Sequence, residues 1–557
     1  MFADTARRFA LDEVVTAHDA IEHPDASFSV MAGLLRKAGE LGLLMIDVPE
    51  EYGGLGMDVT TSMLCSENLA KQGSFAVSWG AHVGIGSLPI VFFGSDAQKK
   101  RWLPLLATGE KLAAYALTEP GSGSDALAAK TRAVLSEDGS HYVLNGTKMW
   151  ITNAGFADLF TVFCQVDDNK FTAFLVERDA EGLSLGAEER KMGIKGSSTR
   201  MVVLDGVKVP VGNVLGQVGR GHKIAFNILN VGRFKLGVGA LGSGKVVLGY
   251  SVKYASERKQ FGEPIANFGA IREKLARMAV DLYSLESCCY RLAKDIDDTI
   301  EAAGHGPEQV MAAIEEFAVE DSILKVYGSE VQAYCVDEGV QIHGGYGYSA
   351  EYAVEGAYRD ARIQRIFEGT NEINRMLIPG MVLKRTMKGQ LPLFTAVAAA
   401  DAAAAADKEP LPSGDALERE IFLTKKAKTL AVYAANQAIQ KHMADLKDQQ
   451  ELLMLMADMM IQVYALDSTV TRTLQLDPAD SGTALKRVAC SCVVASHYPR
   501  VASNAEALLV HLAAGDQALM DSYFGVLDKL TYRTGINGVA LRRVIADAVV
   551  DRQRYPM

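Results

Sequence analysis

Leu159-Phe160-Thr161-Val162-Phe163, followed shortly by Phe171-Thr172-Ala173-Phe174-Leu175-Val176, decides the fold class. Short aromatic and β-branched runs read as strands, because such side chains suit a pleated, buried surface. His141-Tyr142-Val143-Leu144, Met201-Val202-Val203-Leu204 and Val207-Lys208-Val209 add further runs. Asn145-Gly146 and Asp205-Gly206 supply turn chemistry, and the last two runs suggest a late hairpin around Asp205-Gly206. A β-domain is therefore expected over residues 113–215.

Both flanks of this region carry helical spacing instead. Leu34, Leu35, Ala38 and Leu41 recur at three-to-four intervals. Glu50 to Gly56 reads as a turn, and Ser95-Asp96-Ala97-Gln98 as a capped helix entry. Residues 1–112 form an expected helical domain, and helical patterning returns over 216–385. Helix, then sheet, then helix implies an α+β protein with separately packed layers, not an alternating βαβ fold. Residues 386–414 are alanine-rich and end in Glu409-Pro410-Leu411-Pro412-Ser413-Gly414, a linker whose alanines can form a helical spacer. Residues 415–557, beginning Ala416-Leu417-Glu418-Arg419, read as an additional helical bundle.

Bulk properties exclude several function classes. The 557-residue chain is 49% hydrophobic and 22% charged, ordinary for a globular protein. A formal net charge of -11 argues against nucleic acid as partner, since phosphate backbones demand a basic surface. Seven cysteines, an odd number without metal-ligand spacing, read as buried free thiols in a reducing compartment, so no metal is expected. The acidic N-terminal residues Asp4, Asp12, Glu13, Asp19 and Glu22 fit neither a secretory nor a transit peptide. The longest apolar run, Leu452 to Leu466, is interrupted by Asp458 and falls short of a membrane span. The expected location is bacterial cytoplasm, or the mitochondrial matrix for a processed form.

Five blocks carry chemistry. In Arg365-Ile366-Phe367-Glu368-Gly369-Thr370-Asn371-Glu372-Ile373-Asn374-Arg375, a carboxylate sits behind two apolar residues and before a glycine. Desolvation there raises a carboxylate's pKa and makes it a stronger base; the alternatives are a salt bridge or a helix start. Thr118-Glu119-Pro120-Gly121-Ser122-Gly123-Ser124-Asp125 is either a phosphate cradle or a plain turn. In Asn145-Gly146-Thr147-Lys148-Met149-Trp150-Ile151-Thr152-Asn153, Trp150 either covers a flat ring or fills the core. Ser256 to Ile265 and Val340 to Tyr348 end helices with basic residues and with glycines respectively, features that also occur at ordinary helix ends.

Together, in this order and spacing, the blocks resemble the flavin-dependent acyl-CoA dehydrogenases over residues 1–385. The tail, Lys191 to Gly196 and Asn227 to Phe234 resemble the very-long-chain branch. The resemblance implies an N-terminal helical domain, a middle β-domain, a C-terminal four-helix bundle and an extra helical tail. It implies FAD bound by Tyr115, Leu117, Thr118, Gly123, Ser124, Trp150, Ile151, Thr152, Thr370 and Glu372. Arg258, Phe261, Gln341, Gly344 and Gly345 would hold the adenosine diphosphate half of another protomer's FAD. Ser124, Asn230, Arg233 and Gly369 would face acyl-CoA, and Glu368 would remove its α-proton. The Glu368 backbone N–H and an FAD ribityl hydroxyl would stabilise the thioester oxygen. Some branches place the base just before the residue matching Arg233; here that position is Gly232, so Glu368 has no rival.

The expected reaction is dehydrogenation of medium-to-long-chain acyl-CoA in fatty-acid β-oxidation, with electrons passed to an electron-transfer flavoprotein. Where medium-chain relatives close the pocket with polar side chains, the resemblance places Val77 and Ala81, smaller apolar residues that would leave a deeper slot unless Trp79 plugs it. The linker carries little basic charge before Lys425, so membrane association is not supported. In the very-long-chain branch the tail occupies space that a second dimer fills in tail-less relatives, so the resemblance implies a homodimer. The alternatives are an acyl-CoA oxidase and a scaffold protein on the same fold.

Overall fold

The aromatic and β-branched runs do become strands. The computed structural model describes residues 1–23, 27–167, 169–414 and 417–557. Among these, one sheet contains β1 (Ala113–Ala116), β2 (Arg132–Leu135), β3 (His141–Thr152), β4 (Leu159–Val166), β5 (Lys170–Glu177), β6 (Leu183–Glu188), β7 (Thr199–Pro210) and β8 (Val214–Leu215). Their order is β6-β7-β3-β2-β4-β5-β8, with β1 pairing parallel to β4. Strand β4 explains the unbroken apolar run of its sequence. Leu159 and Phe163 enter one buried cluster with Ile90, Trp102 and Ile228, while Phe160, Val162 and Cys164 enter another with Phe174 and Val202. A strand covered on both faces has no polar side to show.

The expected late hairpin is not present. Met201–Leu204 and Val207–Val209 belong to the single strand β7, which pairs with β3 on both sides of Asp205-Gly206. Leu144 pairs with Val207 and Gly146 with Leu204, so Asn145 opposes two residues in a β-bulge. Gly206 takes φ +68°, and its N–H donates to Asn145 Oδ1 at 2.8 Å. The two turn-like dipeptides thus face each other across a bulge, where a left-handed residue serves as well as it does in a hairpin turn.

Compact packing groups the chain into two units: residues 1–243, 292–321 and 356–368 in one, and 244–291, 322–355 and 369–557 in the other. In the first, the helix Ser27–Glu40 buries Leu34, Leu35 and Ala38. Leu41 lies beyond its end and is 42% exposed, because the chain turns away at Gly42, φ +77°. Ser95 and Gln98 form the reciprocal capping box of the helix Asp96–Thr108. Gly73–Phe93 is long and apolar enough to cross a membrane, as is Gln450–Leu474 in the second unit; most of each segment is buried in protein. Composition with scattered Ser, His and Gly concealed the first of these.

In the second unit, tail helices join the bundle through polar seams. Tyr283 shares a hydrogen bond with Thr473 at 2.9 Å, and Tyr327 with His497 at 3.0 Å. Arg375 bonds Glu330 at 2.7 Å and Asp458 at 2.7 Å. The alanine run of the linker forms the helix Leu393–Ala405, with Ala400 and Ala404 buried. The last bundle's first described helix is Glu418–His442; Ala416, where the sequence suggests it begins, lies outside the described residues. All seven cysteines are buried free thiols.

Candidate active site

Glu368 follows the short turn Arg362–Arg365 and adopts φ +58°. A left-handed conformation costs a non-glycine residue about 1–2 kcal/mol, so surrounding contacts must hold it. Arg233 supplies one: its Nε donates to the Glu368 carbonyl at 3.2 Å, while Nη1 donates to Asn230 Oδ1 at 2.9 Å. Arg233 and Asn230 are each 6% exposed. Burial lowers the Arg233 pKa, while the charges of Glu368 and Asp321 act to hold its proton.

The carboxylate of Glu368 occupies the space beside Gly232. A Cβ built on Gly232 would lie 2.6 Å from Glu368 Oε2 and 2.9 Å from its carboxyl carbon. Any larger residue there would displace the carboxylate. Tyr115, on β1, is buried against Phe163 at a centroid distance of 5.1 Å. Its hydroxyl has no hydrogen-bond partner among the described residues. Burial, and then the Glu368 charge, push the Tyr115 phenol well above its usual range, so it stays neutral. The apolar neighbours do less than the sequence implies: Ile366 is 46% exposed, and Glu368 itself is only half-buried. Its surroundings come from distant chain segments, at 115 and 230–233.

The two motifs of the β-domain meet. Met149 N–H donates to the Thr118 carbonyl at 2.8 Å. Pairing of β3 with β7 shifts register between Lys148 and Ile151, and Trp150 takes φ +58° within this irregularity. Trp150 is consequently 59% exposed, while Ile151 is 2% exposed and Thr152 is half-buried. Leu117 is buried, Thr118 half-buried, and Gly123 and Ser124 lie exposed in a loop where Ser122 Oγ donates to Asp125 O at 2.6 Å. An unbonded buried phenol, an exposed indole and open glycines fit a flat cofactor with polar edges.

In the second unit, Arg258, Gly344 and Gly345 line a pocket of about 680 Å³ with Tyr254, His343 and Tyr346. The Arg258 guanidinium lies 5.3 Å from the Tyr346 ring centroid. Phe261 caps a two-stranded ribbon at φ +53°, is 94% exposed, and with Gln341 stays outside that lining. Thr370 caps the helix Asn371–Met387, accepting from Ile373 N. Glu372 is exposed, with its pKa lowered mainly by its own backbone N–H.

One residue escaped sequence reading altogether. Lys325 is fully buried; its Nζ donates to the Gly369 carbonyl at 2.6 Å and to Asn371 Oδ1 at 2.7 Å. Asn374 Nδ2 donates to the same Gly369 carbonyl at 2.9 Å. The Gly369–Thr370 peptide is therefore held by a buried ammonium. Its signal was a lysine inside Ile323-Leu324-Lys325-Val326-Tyr327, an otherwise apolar helical run.

An α+β protein with a carboxylate held beside a glycine and a buried arginine is the class that this geometry defines. Comparison specifies it further. Residues 1–110, 114–207 and 219–382 match the acyl-CoA dehydrogenase N-terminal, middle and C-terminal domain descriptions, and 426–523 match a further acyl-CoA dehydrogenase C-terminal domain. A Bacillus subtilis protein named as a probable acyl-CoA dehydrogenase is 48% identical over 100% of this chain and 94% of its own. A crystal structure of an acyl-CoA dehydrogenase complexed with FAD from Bacillus anthracis has TM-score 0.97 and 45% identity, covering 100% of this chain and 95% of that one. The very long-chain specific acyl-CoA dehydrogenase of Rattus norvegicus is 43% identical over 64% of this chain, which spans only 53% of that protein. The chain belongs to the acyl-CoA dehydrogenase family, whose members are oxidoreductases acting on CH–CH bonds.

Proposed function

We propose that this chain uses FAD to dehydrogenate medium-to-long-chain acyl-CoA to trans-2-enoyl-CoA, the opening oxidation of fatty-acid β-oxidation. The observation that carries this reading is the Glu368 carboxylate lying in the space that Gly232 leaves free. The residues around Tyr115 and Trp150 fit FAD, and a relative of TM-score 0.97 is complexed with it. When bound, FAD supplies a two-electron acceptor for the hydride leaving Cβ.

Glu368 takes the α-proton. Arg233 fixes its backbone by bonding its carbonyl, and Lys325 holds the Gly369 carbonyl. Tyr115, kept neutral by burial, contributes no competing negative charge beside that carboxylate. Tyr115, Leu117, Thr118, Gly123, Ser124, Trp150, Ile151, Thr152, Thr370 and Glu372 are the proposed flavin contacts. Ser124, Asn230, Arg233 and Gly369 are the proposed acyl-CoA side. Arg258, Phe261, Gln341, Gly344 and Gly345 are the proposed grip on a second protomer's cofactor, which accords with a homodimer; a pocket lined by Arg258, Gly344 and Gly345 supports this.

The proposed medium-to-long chain length is supported by room near Val77 and Ala81: nothing lies within 4 Å of a Cβ built on neighbouring Gly80. Trp79 is committed elsewhere: it is 3% exposed in the N-terminal core and its Nε1 donates to the Leu43 carbonyl at 3.1 Å. An electron-transfer flavoprotein is the proposed acceptor, and the Bacillus relative supports a bacterial cytoplasmic setting. The proposed organisation has five parts: 1–112, 113–215, 216–385, 386–414 and 415–557.

The test is turnover of saturated acyl-CoAs from butyryl to eicosanoyl with an artificial electron acceptor, and identification of product by mass spectrometry. Loss of two hydrogens, fastest on medium or long chains, supports the proposal; a rate maximum at butyryl refutes the chain length, and no enoyl product refutes the function.

A further inference from the structure

The loop Thr118–Asp125 and the strand segment Lys148–Thr152 each carry a charged residue that the cofactor reading leaves unused: Glu119 and Lys148. They pair with each other. Lys148 Nζ lies 2.7 Å from Glu119 Oε1 and also donates to the Leu117 carbonyl at 3.1 Å. Lys148 is 0% exposed and Glu119 7% exposed. Glu119 in turn accepts from the backbone N–H of Lys130 at 2.6 Å and of Thr131 at 3.0 Å, just ahead of β2. A single buried ion pair therefore ties together β3, the chain leaving β1, the small-residue loop and the entry to β2.

A buried pair is a poor way to gain stability. Desolvating both ions offsets most of their attraction, and apolar residues of the same volume often do as well. What such a pair does provide is geometry, since a short, fully bonded ammonium–carboxylate contact allows little freedom. Here the geometry concerns the residues next to it. Lys148 stands two positions before Trp150, at the edge of the register shift within which the indole is exposed. Glu119 follows Thr118, whose carbonyl accepts from Met149 N–H.

We propose that Lys148 and Glu119 are positioning residues for the flavin: their ion pair fixes the Thr118–Ser124 loop against the Trp150–Thr152 segment. The inference rests on the FAD reading above and deepens it. Neither side chain is required to touch the cofactor. Their effect is to hold both halves of its cradle at one spacing, so that removing the pair loosens FAD even where the fold survives.

The single variants Lys148→Met and Glu119→Gln each leave a buried partner uncompensated, and either is open to failing through misfolding. The deciding variant is the double one, Lys148→Met with Glu119→Gln, which removes both charges together. Full-length protein is stripped of FAD, its thermal unfolding recorded, and FAD titrated back by flavin fluorescence; the visible circular dichroism of the reloaded protein is then compared with wild type. The expected result is a split: apo-protein unfolding within a few degrees of wild type, with FAD affinity reduced about tenfold or more and an altered flavin dichroism. A purely structural pair would move these together. Wild-type FAD affinity and dichroism in the double variant would overturn the proposal, and so would an affinity loss matched by an equal loss of apo stability. If wild-type protein binds no FAD at all, the cofactor reading fails first, and the two failures are told apart.

Discussion

At the scale of single residues, catalysis turns on what shares space with Glu368. Replacement by Gln keeps the shape and removes the base, and is expected to lower turnover by about 10²–10⁴-fold without changing the fold. Gly232→Ala tests the same space from the other side. Its methyl would lie 2.6 Å from Oε2, so the carboxylate must move; steady-state kcat should fall by about tenfold or more, while acyl-CoA binding changes less. A Gly232→Ala enzyme with full kcat would show that the carboxylate works elsewhere. Glu368 and Gly232 were legible in the sequence because each stands in a recognisable local string. Lys325 was not, since it reaches the Gly369 carbonyl from far along the chain; Tyr115 was named by the resemblance, but no local pattern records its nearness to Glu368.

Elements were legible where periodicity alone decides them and misread where turn chemistry has two uses. The apolar runs of β4 and β5 and the capping box at Ser95 form as their residues dictate. Asp205-Gly206 reads equally as a hairpin turn or a bulge, and only pairing with Asn145 on the neighbouring strand distinguishes them. Asn145→Ala should cost about 0.5–1.5 kcal/mol in denaturant unfolding, the value of that one cross-strand bond.

A second element-scale expectation concerns pH. His82, in the segment Ala81–Ser87, is fully buried; its Nδ1 accepts from Ala113 N–H at 3.1 Å, so Nε2 must carry the proton that it shares with the Leu106 carbonyl at 2.9 Å. Burial lowers its pKa from 6.5 to about 4. The unfolded chain then binds the extra proton first as pH falls. The stability contributed by neutral His82 is complete above about pH 6.5, declines as pH drops, and is lost near pH 4, a total of about 3 kcal/mol. Thermal unfolding at about pH 7 and about pH 5 should show a smaller drop in His82→Asn than in wild type. Equal drops would remove His82 from the explanation.

For the whole molecule, layers were legible but their grouping was not. Each compact unit draws on three stretches of chain, because helices such as Gly221–Glu257 and Gly269–Ala303, of 37 and 35 residues, contribute to both. The tail's attachment is also a matter of contacts distant in sequence. Asp458, which interrupts an apolar helix, meets Arg375 at 2.7 Å, and Arg375 also holds Glu330. Arg375→Met removes the ion-pair partner that Asp458 and Glu330 share and is expected to loosen the tail helices, read as faster hydrogen exchange over 450–474. Light scattering of the intact protein should report a homodimer; a tetramer would contradict a tail that occupies the place of a second dimer.

The most direct measurement is anaerobic stopped-flow mixing of the FAD-loaded protein with palmitoyl-CoA, following the visible absorbance of the flavin. Wild type should bleach within the mixing experiment, and Glu368→Gln should bind the same ligand yet keep its colour. Equal bleaching by both proteins would show that the proton leaves to some other group, and the assignment of Glu368 as the base would be wrong.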